Sequence, residues 1–132
     1  MFRFDHVAIS VQNPEKSMEF YSKLGFEFFK RYDDPNGELS ITLLKNKKMI
    51  LELFCYKKFM PLPEHCEDNS KDLNVLGTKH FGLCVKDISK AATKIVELGI
   101  LESLPEIKTG RLGRDYFFVK DPDGINVEII EK

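Results

Sequence analysis

Asp5-His6-Val7-Ala8-Ile9-Ser10-Val11-Gln12-Asn13-Pro14 and Lys79-His80-Phe81-Gly82-Leu83-Cys84-Val85-Lys86-Asp87-Ile88 are two versions of one segment. A shift of 74 positions carries His6 onto His80, Val11 onto Val85, Asn13 onto Asp87, Leu24 onto Leu98 and Gly25 onto Gly99 without a gap. In the first version His6, Ala8 and Ser10 share one face of a strand, and Val7, Ile9 and Val11 share the other. Asn13-Pro14 then reads as an N-cap followed by proline at the first helical position. Ser17, Phe20, Tyr21 and Leu24 fall at helical spacing, and Gly25 supplies a C-terminal stop.

Working outward, strands are expected from Glu27 to Tyr32, Leu39 to Leu44 and Met49 to Tyr56. The turns between them are Asp33-Asp34-Pro35-Asn36-Gly37 and Lys45-Asn46-Lys47-Lys48. This is a β-α-β-β-β unit. After the repeat begins again, a helix is expected from Ile88 to Leu98, with Ile88, Ala91, Ala92, Ile95 and Leu98 buried. Strands follow at Tyr116 to Val119 and Ile125 to Ile130, around the turn Asp121-Pro122-Asp123-Gly124. A long period with only two copies indicates paired modules rather than a solenoid. The expected organisation is one domain over residues 1–132, with modules at about 1–56 and 78–132. Residues 57–77, with Pro61, Pro63 and a run of acidic residues, read as a connecting arm.

Composition excludes several classes of function. Twenty Lys and Arg balance 21 Asp and Glu, so no basic field favours nucleic acid, and no polybasic or amphipathic segment suggests a membrane surface. No apolar run has the length of a signal peptide or a membrane span, which points to a cytoplasmic protein. Cys55, Cys66 and Cys84 are odd in number and form no C-x-x-C, so they read as reduced thiols. No H-E-x-x-H, P-loop, G-x-G-x-x-G or G-x-S-x-G is present.

Four polar residues interrupt apolar strands: His6, Glu52, His80 and Glu128. Ile50, Glu52 and Phe54 oppose Met49, Leu51 and Leu53, while Asn126, Glu128 and Ile130 oppose Ile125, Val127 and Ile129. In each module the aliphatic set packs on the helix and leaves His and Glu on the other sheet face. A carboxylate lining an enclosed face requires a cation or a partner. Two imidazoles and two carboxylates at repeat-equivalent positions therefore point to one divalent metal. Nitrogen and oxygen donors without thiolate suit Zn, Ni, Co, Fe or Mn. Four protein ligands leave positions open for substrate, which is the catalytic arrangement.

Asp5-His6-Val7-Ala8-Ile9, Phe20-Tyr21-Ser22-Lys23-Leu24-Gly25-Phe26, Lys79-His80-Phe81-Gly82 and Asp121-Pro122-Asp123-Gly124-Ile125-Asn126-Val127-Glu128 together resemble the vicinal oxygen chelate superfamily. That group includes glyoxalase I, methylmalonyl-CoA epimerase, extradiol dioxygenases and the fosfomycin- and bleomycin-resistance proteins. The resemblance implies an α+β fold of two βαβββ modules forming a cupped mixed β-sheet, with helices on the outer face. It implies metal ligands at His6, Glu52, His80 and Glu128, binding one divalent ion (Zn, Ni, Co or Mn). The cup forms within one chain or from modules of two chains, and a homodimer is expected.

Within the superfamily, retention of both Glu52 and Glu128 is most similar to glyoxalase I, a lactoylglutathione lyase. The resemblance implies metal-dependent proton transfer on a hemithioacetal or similar α-oxygenated substrate, through an enediolate, with Glu128 or Glu52 as base. The alternatives are an epimerase, which usually carries Gln at the position of Glu52, an extradiol-type dioxygenase, or a non-catalytic binding or resistance protein. The expected partner is a small-molecule substrate, with a thiol adduct as one candidate.

This chain departs from the pattern at two expected substrate-binding positions, which here are Ser10 and Tyr56. There glyoxalase I commonly carries Arg and Asn to hold glutathione, so glutathione is not carried over as the thiol. A hydroxyl does not replace a guanidinium that grips a carboxylate bidentately. Arg111 and Arg114, in the loop Gly110-Arg111-Leu112-Gly113-Arg114, are the candidate cations for an anionic substrate in its place.

Overall fold

The computed structural model describes all residues, Met1 to Lys132. The chain divides into two compact units, Met1–Pro61 and Leu62–Lys132, each built on a four-stranded sheet. In the first unit β1 (His6–Ser10) is followed by helix α1 (Pro14–Lys23) and strands β2 (Glu27–Asp33), β3 (Leu39–Asn46) and β4 (Met49–Tyr56). Their order across the sheet is β1-β4-β3-β2. The β1–β4 pair is parallel and the other two pairs are antiparallel.

The second unit begins with the arm. A 3₁₀ turn (Glu64–Glu67) and the single-turn helix α2 (Asn69–Asp72) precede β5 (Phe81–Val85), helix α3 (Ile88–Glu97), and strands β6 (Lys108–Thr109), β7 (Asp115–Lys120) and β8 (Asn126–Glu131). The sheet order β5-β8-β7-β6 repeats the first, again with one parallel pair, β5–β8. The expected α+β architecture of two βαβββ modules is therefore present. Two details differ. Strand β6, only two residues long, has no counterpart in the periodicity reading. His80 lies immediately before β5 rather than within it.

Local chemistry accounts for the helix limits. Asn13 caps α1 by accepting from the Lys16 amide at 3.0 Å, and Asp87 caps α3 by accepting from the Lys90 amide at 2.9 Å. Gly25 follows α1 with φ +90, the left-handed conformation that ends a helix. The Asn46 side chain donates to the Leu24 carbonyl at 3.2 Å, satisfying one of the helix's orphan acceptors.

Each module's core lies on the helix-facing side of its sheet. Tyr21, Phe26, Leu44, Leu51 and Leu53 are buried in the first module. In the second, Ala92, Ile95, Phe117, Val119, Val127 and Ile129 are buried. The alternation along β4 and β8 thus leaves Glu52 and Glu128 partly buried on the opposite face. No helix is long and apolar enough to cross a membrane.

The arm docks on its own module through named polar contacts. Buried Asn126 donates to the Cys66 carbonyl at 3.2 Å and to Asn69 Oδ1 at 3.3 Å, and Lys120 donates to the Glu67 carbonyl at 2.5 Å. Lys79 Nζ lies 3.0 Å from Oδ1 of the buried Asp72.

Candidate metal half-sites

In the first module His6 opens β1 and Glu52 stands in the middle of β4. The register pairs Ala8 with Glu52, and Glu52 with Leu43 on its other side. His6 Nε2 lies 3.3 Å from Glu52 Oε2. The other ring nitrogen, Nδ1, is 2.7 Å from Asp5 Oδ2. That hydrogen bond to Asp5 raises the imidazole pKa above its ordinary value; burial opposes the shift, and the nearby Glu52 charge adds to it. A carboxylate on Nδ1 orients the ring so that Nε2 is the free donor.

The second module repeats the pair. His80 Nε2 lies 3.5 Å from Glu128 Oε2, and the register pairs Glu128 with Gly82 on one side and Phe118 on the other. The His80 ring packs edge-on against Phe118, with centroids 4.9 Å apart. Its Nδ1 is buried without a hydrogen-bond partner. A Cβ on Gly82 would come within 3.3 Å of Glu128 Oε2, so glycine leaves the carboxylate its present position.

The His–Glu separations fit a shared ion better than a direct contact. A charge-assisted hydrogen bond closes to about 2.7–2.9 Å. Two donors on one ion, each at about 2.0–2.2 Å, stand roughly 3 to 3.5 Å apart when adjacent. The spacings of 3.3 and 3.5 Å match the second geometry in both modules. The donor set of imidazole and carboxylate suits a borderline divalent cation.

The other residues singled out from the sequence fall in different settings. Ser10 ends β1 and is exposed, and Tyr56 ends β4 with half its surface exposed. Arg114 Nε donates to the Glu131 carbonyl at 2.7 Å and holds the β6–β7 hairpin against the end of β8, while Arg111 stands exposed in the loop. Asp5, Lys30 and Gly82 enter the picture only with the structure. A polar residue next to a ligand, as Asp5 is, was the one available signal.

A further group, His65, Cys66 and Asp72, brings its potential ligand atoms within 4.8 Å of one another in the arm. Lys79 already neutralises Asp72, and burial, with Asp72 adding to it, raises the Cys66 pKa and keeps the thiol protonated. These contacts fasten the arm.

A cleft of about 240 Å³ opens on the first module beside the His6–Glu52 pair. It is lined by Lys30, Arg31, Tyr32, Ile41, Leu43 and Glu52.

Residues 3–129 match the family model described as the Glyoxalase/Bleomycin resistance protein/Dioxygenase superfamily. A lactoylglutathione lyase of Schizosaccharomyces pombe is 31% identical over 99% of the chain, which spans only 45% of that relative's length. A lactoylglutathione lyase of Neisseria meningitidis serogroup A is 29% identical, with 98% of this chain and 91% of the relative covered. The crystal structure of a glyoxalase family protein from Enterococcus faecalis superposes with a TM-score of 0.81 at 28% identity, covering 98% of this chain and 97% of the other.

Proposed function

We propose that this chain, which belongs to the Glyoxalase/Bleomycin resistance protein/Dioxygenase superfamily, is a metal-dependent isomerising lyase of the glyoxalase I type. The observation that carries the reading is the His–Glu pair repeated in both modules at the spacing of adjacent ligands on one ion. His6, Glu52, His80 and Glu128 would hold one divalent ion, Zn, Ni, Co or Mn. When bound, such an ion supplies Lewis-acid stabilisation of negative charge developing on a substrate oxygen.

The chain's own residues do the rest. Glu52 or Glu128 takes the proton from the carbon beside the carbonyl of a hemithioacetal or similar α-oxygenated substrate. The same carboxylate returns the proton to the neighbouring carbon, so the net change is an isomerisation through an enediolate, with no redox partner. Holding one proton on one carboxylate through both steps requires that bulk water be kept from it, and Leu43 and Ile41 beside Glu52 provide an apolar floor. His6 and His80 act as ligands, and Asp5 orients His6.

We propose a cytoplasmic homodimer in which the His6–Glu52 pair of one copy and the His80–Glu128 pair of the other complete each site. Mixing His6→Ala with His80→Ala protein tests this. A shared site predicts that the mixture regains metal binding and turnover which each variant alone lacks. A site completed within one chain predicts no recovery.

The reaction is tested by metal analysis of purified protein, then thioester formation from methylglyoxal with glutathione, bacillithiol or coenzyme A. Glu52→Gln and Glu128→Gln, each assayed with metal retained, identify the base. An absence of bound metal after divalent supplementation, or undiminished turnover in both variants, would overturn the reading. Turnover without oxygen separates it from a dioxygenase.

A further inference from the structure

We propose that Lys30 is the specificity-determining residue of the substrate cleft, and that the substrate carries a carboxylate a few atoms from its reacting carbon. The inference rests on the proposed site at Glu52 and concerns the opposite end of the same cleft.

Strand β2 is irregular near its start. Phe28 pairs with Leu44, but the next pair is Lys30 with Leu43: two steps along β2 against one along β3. Phe29 is therefore the extra residue of a β-bulge. In an uninterrupted ladder Lys30 would stand opposite Thr42, which is fully buried on the helix-facing side. The bulge reverses that parity and brings Lys30 opposite Leu43, on the face that bears Glu52. It also turns Arg31 to the helix side, where the guanidinium lies 3.1 Å from Glu15 of α1. Bulges re-aim side chains beside active sites, and here the re-aimed residue is a cation.

A row runs straight across the sheet from this point: Lys30, Leu43, Glu52, Ala8. Lys30 stands two strand spacings, about 10 Å, from Glu52. That separation exceeds an ion-pair contact, and Lys30 makes no salt bridge, unlike Arg31 with Glu15 and Asp33. The other nearby ammonium, Lys45, sits over the Phe29 ring at 5.2 Å. The cleft thus has a carboxylate at one end, apolar Ile41 and Leu43 along its floor, and an uncommitted ammonium at the other. A substrate with its reacting carbon near Glu52 would lay a short apolar spacer over Leu43. An anionic terminus at Lys30 would then lie clear of the repulsion from Glu52. With Ser10 and Tyr56 offering no cation on the neighbouring strands and Arg31 held by Glu15 and Asp33, Lys30 is the cleft-lining cation without an ion-pair partner.

Two nonreacting probes test the proposal without metal or turnover: 3-(methylthio)propionate and its neutral methyl ester, titrated while the Ile41 and Leu43 methyl signals are followed by NMR. For a partly solvated ammonium the acid is expected to bind about fivefold tighter than the ester. That preference should weaken with added salt, vanish in Lys30→Met and persist in Lys30→Arg. Equal binding of acid and ester by the unmodified protein, or a preference surviving in Lys30→Met, would overturn the proposal.

Turnover adds a second reading, with methylglyoxal hemithioacetals of 3-mercaptopropionate and of 2-mercaptoethanol. Lys30→Met should raise KM for the anionic adduct alone and leave kcat within about twofold, as expected for loss of uniform binding. Equal changes for both adducts would overturn the proposal. An acid preference with no turnover of either adduct would sink the glyoxalase reading and leave the role of Lys30 standing.

Discussion

The two modules share a topology and a His–Glu pair but surround that pair differently. Asp5 and Lys79 occupy equivalent positions in the repeat, yet Asp5 bonds the His6 ring whereas Lys79 turns to the buried Asp72 of the arm. Glu52 has Ala8 and Leu43 beside it, whereas Glu128 has Gly82 and Phe118. Strand β2 is seven residues long and forms one wall of a cleft; its counterpart β6 has two residues and does not extend to Phe118. The first module thus has a cleft beside its pair, whereas the second packs its pair against an aromatic ring. Duplication preserved the donors, and the flanking residues divided the work.

The largest effects are expected from deleting the four proposed donors one at a time. His6→Ala, Glu52→Ala, His80→Ala and Glu128→Ala should each lower divalent-metal affinity by about 100-fold or more, if each removes one of the four proposed ligands. Calorimetric titration with Zn or Ni measures it. If only one module's substitutions matter, the ion belongs to that module and the four-ligand site is wrong.

A smaller effect follows from the unequal support of the two imidazoles. Asp5→Asn should weaken metal binding by about tenfold, in the range for loss of a ligand's hydrogen-bond partner. In the metal-free protein it should also lower the His6 titration midpoint, because the Asp5 hydrogen bond is the main cause of its upward shift. The midpoint is read from the imidazole C–H signals. An unmoved midpoint would remove Asp5 as the orienting group. His80, whose Nδ1 has no partner, offers no equivalent substitution.

Exchanging the small residues beside the carboxylates should cost less again. Gly82→Ala places a methyl at 3.3 Å from Glu128 Oε2, a contact the carboxylate relieves by moving a few tenths of an ångström. A loss of metal affinity of about threefold to fivefold is expected, with thermal stability little changed, because small misplacements of a site group are felt in function before fold. Ala8→Gly, the reciprocal change, should leave affinity unaltered. Equal responses would show that the two carboxylates have the same room.

The weakest contrast is at the helix caps, where Asn13 serves α1 and Asp87 serves α3. Hydrogen bonding from the Lys90 amide lowers the Asp87 pKa below the ordinary aspartate value. Its contribution is present above the unfolded carboxyl value and is lost as pH falls through the depressed folded value. Asp87→Asn should flatten the acid limb of the unfolding curve, and Asn13→Asp should steepen it. A denaturant midpoint followed from neutral pH to pH 3 checks both signs.

Much of this was legible in the chain itself. The repeat of His6 on His80 and the alternation along Met49–Phe54 and Ile125–Ile130 determined the two modules, and they put Glu52 and Glu128 on the face away from the helices. Such patterns survive in sequence because burial acts on every second residue of a strand, so the order of residues records the fold directly. The pairing of His6 with Glu52 and of His80 with Glu128 was an expectation from parity, and their spacing came only from the structure.

Tertiary structure alone decided the rest, for a common physical reason. A bulge at Phe29 leaves the composition of β2 unchanged yet reverses which face Lys30 meets, because face depends on hydrogen-bond register with another strand. Likewise Lys79 has the same place in the repeat as Asp5, and only the docking of the arm supplies the Asp72 that draws it away. Sequence determined which side chains could serve as ligands; contacts between distant segments determined what surrounds them.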